Sequence, residues 1–184
     1  MRIITMTFWR HLGMLAIFAC YAGFEVNAAP EYSPYGVNAH LLWLTNSSER
    51  VEECRWIAAT GIKRVRCGLQ WQHVQKSPNA PFDFTRYDKI VAEQEAAGLT
   101  FLPIVDCPPQ WARPVWNHLP EYARFVEVVM KRYGDKFPDI EIWNEVNLWR
   151  QCTPELYFKI LRTAYTAAKK VKPDVRVLFS GTAG

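Results

Sequence analysis

The chain has 184 residues, of which 49% are hydrophobic and 22% are charged, a composition typical of a globular protein with one domain. The formal net charge is +4, and the Lys and Arg residues form no cluster or stripe, which excludes nucleic acid as a partner. None of the five cysteines belongs to a CxxC pair, so the sequence indicates neither a zinc knuckle nor a redox motif.

Residues 1–28 have the pattern of a secretory signal peptide. Arg2 and Arg10 stand before an apolar run at residues 12–19, and residues 26–28 (Val-Asn-Ala) form a small-residue cleavage site. The apolar run is short for a helix that spans a membrane. We therefore expect a secreted or periplasmic protein without stable membrane insertion after cleavage.

The mature domain would occupy residues 29–184. Two alternatives for the leader remain open. One is an uncleaved N-terminal membrane anchor, and the other is lipid attachment at Cys20, for which Phe18 is a large neighbour. An oxidising compartment would permit disulfides, and Cys107 and Cys152 both follow predicted strand ends, where they could meet.

Strand-like and helix-like segments alternate along this domain. Apolar runs predict strands at residues 36–42, 62–69, 100–105, 140–147 and 175–180. Amphipathic stretches with capping residues predict helices at residues 47–59, 87–97, 121–133 and 154–171. Connections of this length require parallel strands joined by right-handed crossovers.

Either a doubly wound sheet or a barrel would satisfy this alternation. A doubly wound sheet usually has a Gly-rich phosphate loop after its first strand, whereas residues 42–46 are Leu-Trp-Leu-Thr-Asn. We therefore predict an α/β fold of the (β/α)8 TIM barrel type. Because a complete barrel needs about 250 residues, we expect it to be truncated after about five β/α units.

Glycine and proline residues mark the ends of these elements. Gly61, Gly98 and Gly134 follow predicted helices and are candidate C-caps. Pro103 lies inside the third predicted strand, where its missing N–H indicates a bulge or a distorted edge.

The second predicted strand has charged residues on one face. Val65, Cys67 and Leu69 alternate as its apolar face, so Arg64 and Arg66 point into the barrel. A buried guanidinium that lacks a partner costs several kcal/mol, so Arg66 must find a carboxylate. Glu141 is one candidate, and an Arg66 that only braces the barrel floor is the alternative to a substrate-binding role.

The stretch at residues 140–147, Ile-Glu-Ile-Trp-Asn-Glu-Val-Asn, is an apolar strand that ends in amide and carboxylate side chains. Reactive groups of (β/α)8 barrels lie at the C-terminal ends of strands, because the following loops open to solvent there. Glu145 is therefore the candidate catalytic acid. The alternative is that Asn144 and Glu145 only cap the next helix or bind solvent.

Residues 143–149, Trp-Asn-Glu-Val-Asn-Leu-Trp, resemble the strand 4 motif of clan A glycoside hydrolases, especially families 39 and 5. The resemblance implies that Glu145 is the acid/base and that Asn144 binds the sugar beside the scissile bond. Arg66 followed by Trp71 is similar to the strand 2 pattern of family 5, in which the Arg contacts the catalytic nucleophile.

The same resemblance implies a function. The protein would hydrolyse O-glycosidic bonds of a plant-type or microbial polysaccharide or oligosaccharide by a retaining two-carboxylate mechanism, with the nucleophile on a later strand. Its partner would be a carbohydrate substrate, and neither a cofactor nor a metal is implied. Asp106 as the second acid of an inverting pair is a weaker option. The alternative functions are a non-catalytic carbohydrate-binding remnant and a half-barrel interaction protein.

Ring side chains near the predicted rim complete the candidate substrate-binding residues: His40, Trp71, Trp111 and Trp149. An indole ring can lie against the apolar face of a pyranose while polar groups bind its hydroxyls. Residues 108–112, Pro-Pro-Gln-Trp-Ala, again resemble the site loop of families 39 and 5. Each Trp could equally be a packing residue, and His40 could be a core histidine.

Overall fold

The computed structural model describes residues 35–184, and the predicted signal peptide lies outside this range. The described residues contain five strands, which form one sheet in chain order with every neighbouring pair parallel. They are β1 Gly36–Asn38, β2 Arg64–Gln70, β3 Thr100–Asp106, β4 Asp139–Ile142 and β5 Arg176–Leu178. No helix within these residues is long and apolar enough to cross a membrane.

Helices follow the strands as the crossover rule requires. They are α1 Ser47–Ala59, the single turn α2 Trp71–Val74, α3 Thr85–Ala96, α4 Leu119–Tyr133 and α5 Pro154–Val171. The predicted starts of α1, at Ser47 or Ser48, and of α5, after Thr153, are confirmed, and both helices begin at side-chain caps. Asn46 accepts a hydrogen bond from the Ser48 N–H, and Thr153 accepts one from the Leu156 N–H.

The alternation predicted for β2 is confirmed. Val65, Cys67 and Leu69 are buried against the helix layer, whereas Arg64 and Arg66 lie on the opposite face and remain partly accessible. Each arginine forms an ion pair with an acid of β4. The inner face of the sheet therefore carries charged groups, while the outer face joins the apolar core.

Two ion-pair layers are stacked on this inner face. In the lower layer, Asp139 accepts hydrogen bonds from Arg64, at 2.5 Å, and from Arg176 of β5. In the upper layer, Arg66 pairs with Glu141, two residues further along both strands. The pairing predicted between Arg66 and Glu141 is therefore confirmed.

Three strands end earlier than predicted. The chain leaves β1 after Asn38 and turns at residues 40–43, where the Trp43 N–H donates to the His40 carbonyl at 2.8 Å. β4 ends at Ile142 because Trp143 has a left-handed backbone, with φ of 74°. β5 ends at Leu178 instead of Ser180.

The bulge predicted at Pro103 is wrong. β3 runs without interruption from Thr100 to Asp106, and Pro103 lies opposite Cys67 of β2. The pairs of β3 with β4 are those of Ile104 and Val105, so the missing N–H of Pro103 interrupts neither ladder.

Among the predicted C-caps, Gly61 and Gly98 have positive φ, of 84° and 71°, and terminate α1 and α3 as expected. Gly134 follows α4 in a right-handed conformation. The suggested disulfide between Cys107 and Cys152 does not form, since both are free thiols.

Candidate active site

The C-terminal ends of the strands surround a cavity of about 370 Å³. Its lining includes six side chains that can bind or react with a polar ligand: His40, Trp43, Arg66, Asp106, Asn144 and Glu145. Four of the residues predicted from the sequence, His40, Arg66, Asn144 and Glu145, are thus brought together. The barrel rule correctly placed the candidate site at this end of the sheet.

Arg66 is the centre of the hydrogen-bond network in this cavity. Its guanidinium donates to both carboxylate oxygens of Glu141, at 2.6 and 2.7 Å. It also donates to the side-chain oxygens of Asn144, at 2.7 Å, and of Asn38, at 3.1 Å. Arg66 thereby ties together the ends of β1, β2 and β4. The hydrogen bond with Glu141 is the main reason why the pKa of Arg66 is raised, and the negative charge of Glu141 adds to it. Arg66 therefore stays charged.

The network fixes the orientation of the Asn144 amide. Because its oxygen accepts the hydrogen bond from Arg66, its nitrogen lies on the other side of the amide plane. That nitrogen has no hydrogen-bond partner within residues 35–184. Asn144 therefore presents two N–H donors to a ligand in the cavity.

The backbone that carries Asn144 and Glu145 is unusual. Trp143 and Glu145 both have positive φ, of 74° and 46°, which costs roughly 1 to 3 kcal/mol at each residue other than Gly. Neighbouring strand ends hold this conformation in place. The Trp143 N–H donates to the Val105 carbonyl at 3.3 Å, and the Glu145 N–H donates to the Gly181 carbonyl at 2.8 Å.

Glu145 lies just beyond the last residue of β4, at the C-terminal strand end where the barrel rule places a reactive group. Its carboxylate is exposed at the mouth of the cavity. A hydrogen bond between the Val146 N–H and the Ser180 hydroxyl anchors the residue that follows it. An acid held on a fixed backbone at an open rim can approach a ligand that enters from solvent.

Two tyrosines from the outer helices position the strand ends, and the sequence analysis missed both. The Tyr122 hydroxyl of α4 donates to the carbonyl of Val105, and the Tyr157 hydroxyl of α5 donates to the carbonyl of Ile142, each at 2.8 Å. Tyr157 also accepts a hydrogen bond from the Ser180 N–H. A buried Tyr near the start of each helix was the available signal, since a buried hydroxyl needs a partner.

Asp106 occupies the floor of the cavity at the end of β3. It is only 8% exposed, and its Oδ1 has no hydrogen-bond partner among the residues that the structure describes. Its pKa is raised to about 6, mainly by burial and to a smaller extent by the nearby charge of Glu141. A hydrogen bond with the Cys107 thiol and the charge of Arg66 act in the opposite direction.

Trp43 lines the cavity and is not among the site residues predicted from the sequence. Its ring is 69% exposed and stacks on His40, with centroids 4.1 Å apart and planes 5° from parallel. A large exposed ring at a cavity rim is a suitable surface for a ligand with an apolar face. The sequence feature that could have identified Trp43 was its position in the loop after the first strand.

The three predicted tryptophans lie elsewhere. The prediction for Trp71 is wrong, because this ring is fully buried, stacks on Phe125 and donates its N–H to Gln75. Trp111 packs edge-on against Trp71 and is half-buried. Trp149 is 41% exposed and packs edge-on against Trp143. None of the three is among the residues that line the cavity.

No protein-family model and no curated protein matches this sequence. Solved structures do match. A family 39 glycoside hydrolase from Bacteroides cellulosilyticus WH2 superposes with a TM-score of 0.67 and 23% identity, over 79% of this chain and 31% of that one. The exo-β-1,4-mannosidase Op5Man5 from Opitutaceae bacterium strain TAV5 gives a TM-score of 0.65 and 20% identity, over 80% and 31%.

Endoglucanase Cel5A from Thermotoga maritima gives a TM-score of 0.60 and 19% identity, over 73% of this chain and 45% of that one. The described residues have the fold of the matching part of these TIM-barrel enzymes. The TIM-barrel prediction is thus confirmed, with five strands in the described residues. The chain spans about a third of the length of the family 39 enzyme and of the mannosidase.

Proposed function

We propose that this protein is a glycoside hydrolase that cleaves O-glycosidic bonds of a plant-type or microbial polysaccharide or oligosaccharide with retention of configuration. The observation that carries the proposal is the network of Arg66, Glu141 and Asn144 next to Glu145. In this network the side-chain oxygen of Asn144 accepts a hydrogen bond from Arg66, while its two N–H donors face the cavity. A sugar hydroxyl can accept a hydrogen bond from these donors.

In this proposal Glu145 is the general acid that protonates the leaving oxygen and the base that later activates water. Retention requires a second carboxylate roughly 5 to 5.5 Å away. Glu141 is committed to Arg66 by two hydrogen bonds, so it is a poor nucleophile. We assign the nucleophile to a Glu on a later strand, outside the described residues.

Trp43 and His40 would form the platform for the sugar ring. Their stacked rings stand at the edge of the same cavity as Asn144 and Glu145. Stacking against an indole supports the apolar face of a pyranose while the polar groups on the cavity floor bind its hydroxyls. Secretion or transport to the periplasm, inferred from residues 1–28, would give such an enzyme access to polysaccharides.

The test compares leaving groups in the full-length protein that carries the later strand with the nucleophile. Glu145→Gln should slow hydrolysis of alkyl or p-nitrophenyl glycosides by about 10²- to 10⁴-fold, because these leaving oxygens need a proton. The loss in kcat/KM, which reports the step that releases the leaving group, should be much smaller for 2,4-dinitrophenyl glycosides, whose leaving group needs no proton. Glu52→Gln, on the exposed face of α1, is the control and should leave both rates unchanged. Equal losses on both substrate classes would contradict the assignment of Glu145.

The second candidate function is carbohydrate binding without hydrolysis. It is favoured by the cavity lining, because the carboxyl groups among the described lining residues are those of Asp106 and Glu145, and Asp106 is buried on the floor. Specific binding of a glycan with no cleavage of dinitrophenyl glycosides by the wild-type protein would support this candidate over the first.

A further inference from the structure

The cavity has an excess of acidic groups among the described residues that line it. Arg66 contributes a positively charged guanidinium to the lining. Glu141 already neutralises this positive charge through two hydrogen bonds of 2.6 and 2.7 Å. His40 is the other basic side chain of the lining, and its ring is occupied in stacking on Trp43. Asp106 and Glu145 add carboxyl groups without an ion-pair partner in residues 35–184.

Asp106 differs from the exposed Glu145 in that its unused acceptor is buried. Its Oδ1 has no hydrogen-bond partner within residues 35–184, although the side chain lines the cavity. A buried polar atom without a partner costs roughly 1 to 3 kcal/mol, and native structures satisfy nearly all of them. A ligand that supplies a hydrogen-bond donor at this point would complete the site.

We propose that Asp106 determines the sugar specificity of this site: its Oδ1 accepts a hydrogen bond from a ring hydroxyl of a neutral sugar, and its negative charge rejects sugars that carry a carboxylate. The inference rests on the proposed function, because it takes the cavity to be a sugar site. Arg66 does not counter the rejection, since four of its N–H groups already bind Glu141, Asn144 and Asn38.

The test measures binding, so it does not depend on hydrolysis. Matched pairs of methyl glycosides are titrated at about pH 8, where Asp106 is ionised. Each pair has a neutral member and the corresponding uronide, in the gluco, galacto and manno series, and Trp fluorescence and saturation-transfer NMR report binding. In at least one series the wild-type protein should bind the neutral member roughly tenfold more tightly than the uronide.

Asp106→Asn keeps the shape of the side chain and removes its charge, so it should lower this preference by about tenfold. The control is Asp174→Asn, which removes an exposed acid from the turn before β5, at the opposite end of the sheet. It should leave the preference unchanged. The preference for neutral glycosides is measured on the wild-type protein alone. The proposal can therefore be tested even if Asp106→Asn does not fold.

Equal binding of neutral and uronide members by the wild-type protein would overturn the role of Asp106 while leaving a sugar site in place. A preference that Asp106→Asn does not change would also overturn it. Failure of every pair to bind would overturn both this inference and the proposed function. The outcomes therefore separate an error about Asp106 from an error about the whole cavity.

Discussion

Asp106 is a buried acid. Burial disfavours its charged form, and the nearby Arg66 only partly compensates for this effect. Its pKa of about 6 lies above the value of 3.8 for an ordinary Asp, so the folded protein binds this proton more tightly than the unfolded chain does. The stabilisation from the bound proton is complete below about pH 3.8 and is lost as the pH rises through 6. At neutral pH the ionised Asp106 therefore reduces stability.

We predict that Asp106→Asn stabilises the protein at pH 8 by about 2 to 3 kcal/mol, since one pKa unit corresponds to about 1.4 kcal/mol. Near pH 4 the two proteins should have nearly equal free energies of unfolding. Urea denaturation at both pH values gives these quantities. A difference that is the same at pH 4 and pH 8 would mean that the charge of Asp106 is not its cause.

Arg66 offers a second prediction for a single residue. Arg66→Ala leaves the buried carboxylate of Glu141 without its cation, so we expect a loss of about 2 to 4 kcal/mol in the free energy of unfolding. Lys136→Ala is the control, because its pair with Glu95 is exposed and is worth about 1 kcal/mol or less. Urea denaturation measures both changes.

If the interpretation is right, Glu141→Gln in the Arg66→Ala background should recover part of the loss, because it removes the unpaired charge. A cost of Arg66→Ala no larger than that of Lys136→Ala would contradict it.

Single residues differ in how far the sequence could predict their roles. The pair of Arg66 and Glu141 was predictable, because strand alternation directs both inward and a buried guanidinium requires a carboxylate. The burial of Trp71 was not predictable, because the sequence alone does not distinguish a ring that lies on the cavity rim from a ring that packs in the core. Its burial depends on Phe125, which reaches it from a different helix.

At the scale of elements, the rim loop after β1 contains the exposed stack of His40 and Trp43. We predict that Trp43→Ala weakens glycan binding by about tenfold, in line with roughly 1 to 1.5 kcal/mol for an aromatic contact, and leaves thermal stability nearly unchanged. Trp56→Ala is the matched control, because Trp56 is 67% exposed but lies on α1 outside the cavity. Titration with the same methyl glycosides measures both, and equal effects of the two variants would exclude a platform role for Trp43.

Helices were more predictable than the ends of strands. Asn46, Thr153 and the left-handed Gly98 are local signals that act within a few residues. The end of β4 has no such signal, because Trp143 and Glu145 are not residue types that favour positive φ. Their conformation is imposed by hydrogen bonds to distant strands, which a local reading of the sequence does not contain.

At the scale of the whole molecule, the central strands of the sheet are paired over more residues than the two edge strands of the described sheet. β2 and β3 pair over seven residues, whereas β1 and β5 are three residues long and have one neighbouring strand each in the described chain. Local opening is easiest where few hydrogen bonds must break. We predict that amides of β2 and β3 exchange with solvent most slowly and those of β1 and β5 fastest among the strands.

Hydrogen exchange followed by NMR or by mass spectrometry of peptides tests this order. If β1 or β5 is protected as strongly as β3, then contacts beyond the described sheet must cover that margin.

The divided role of Asn144 also bears on how the protein ages. Spontaneous deamidation would turn its amide into a carboxylate, which keeps an oxygen for Arg66 but has no N–H to offer a ligand. The new carboxylate would still accept the hydrogen bond from Arg66, but it would add to the acidic groups of a cavity whose guanidinium Glu141 already neutralises. A stored preparation would thus lose the N–H donors that bind a sugar while it kept the hydrogen bond that ties this strand end to Arg66.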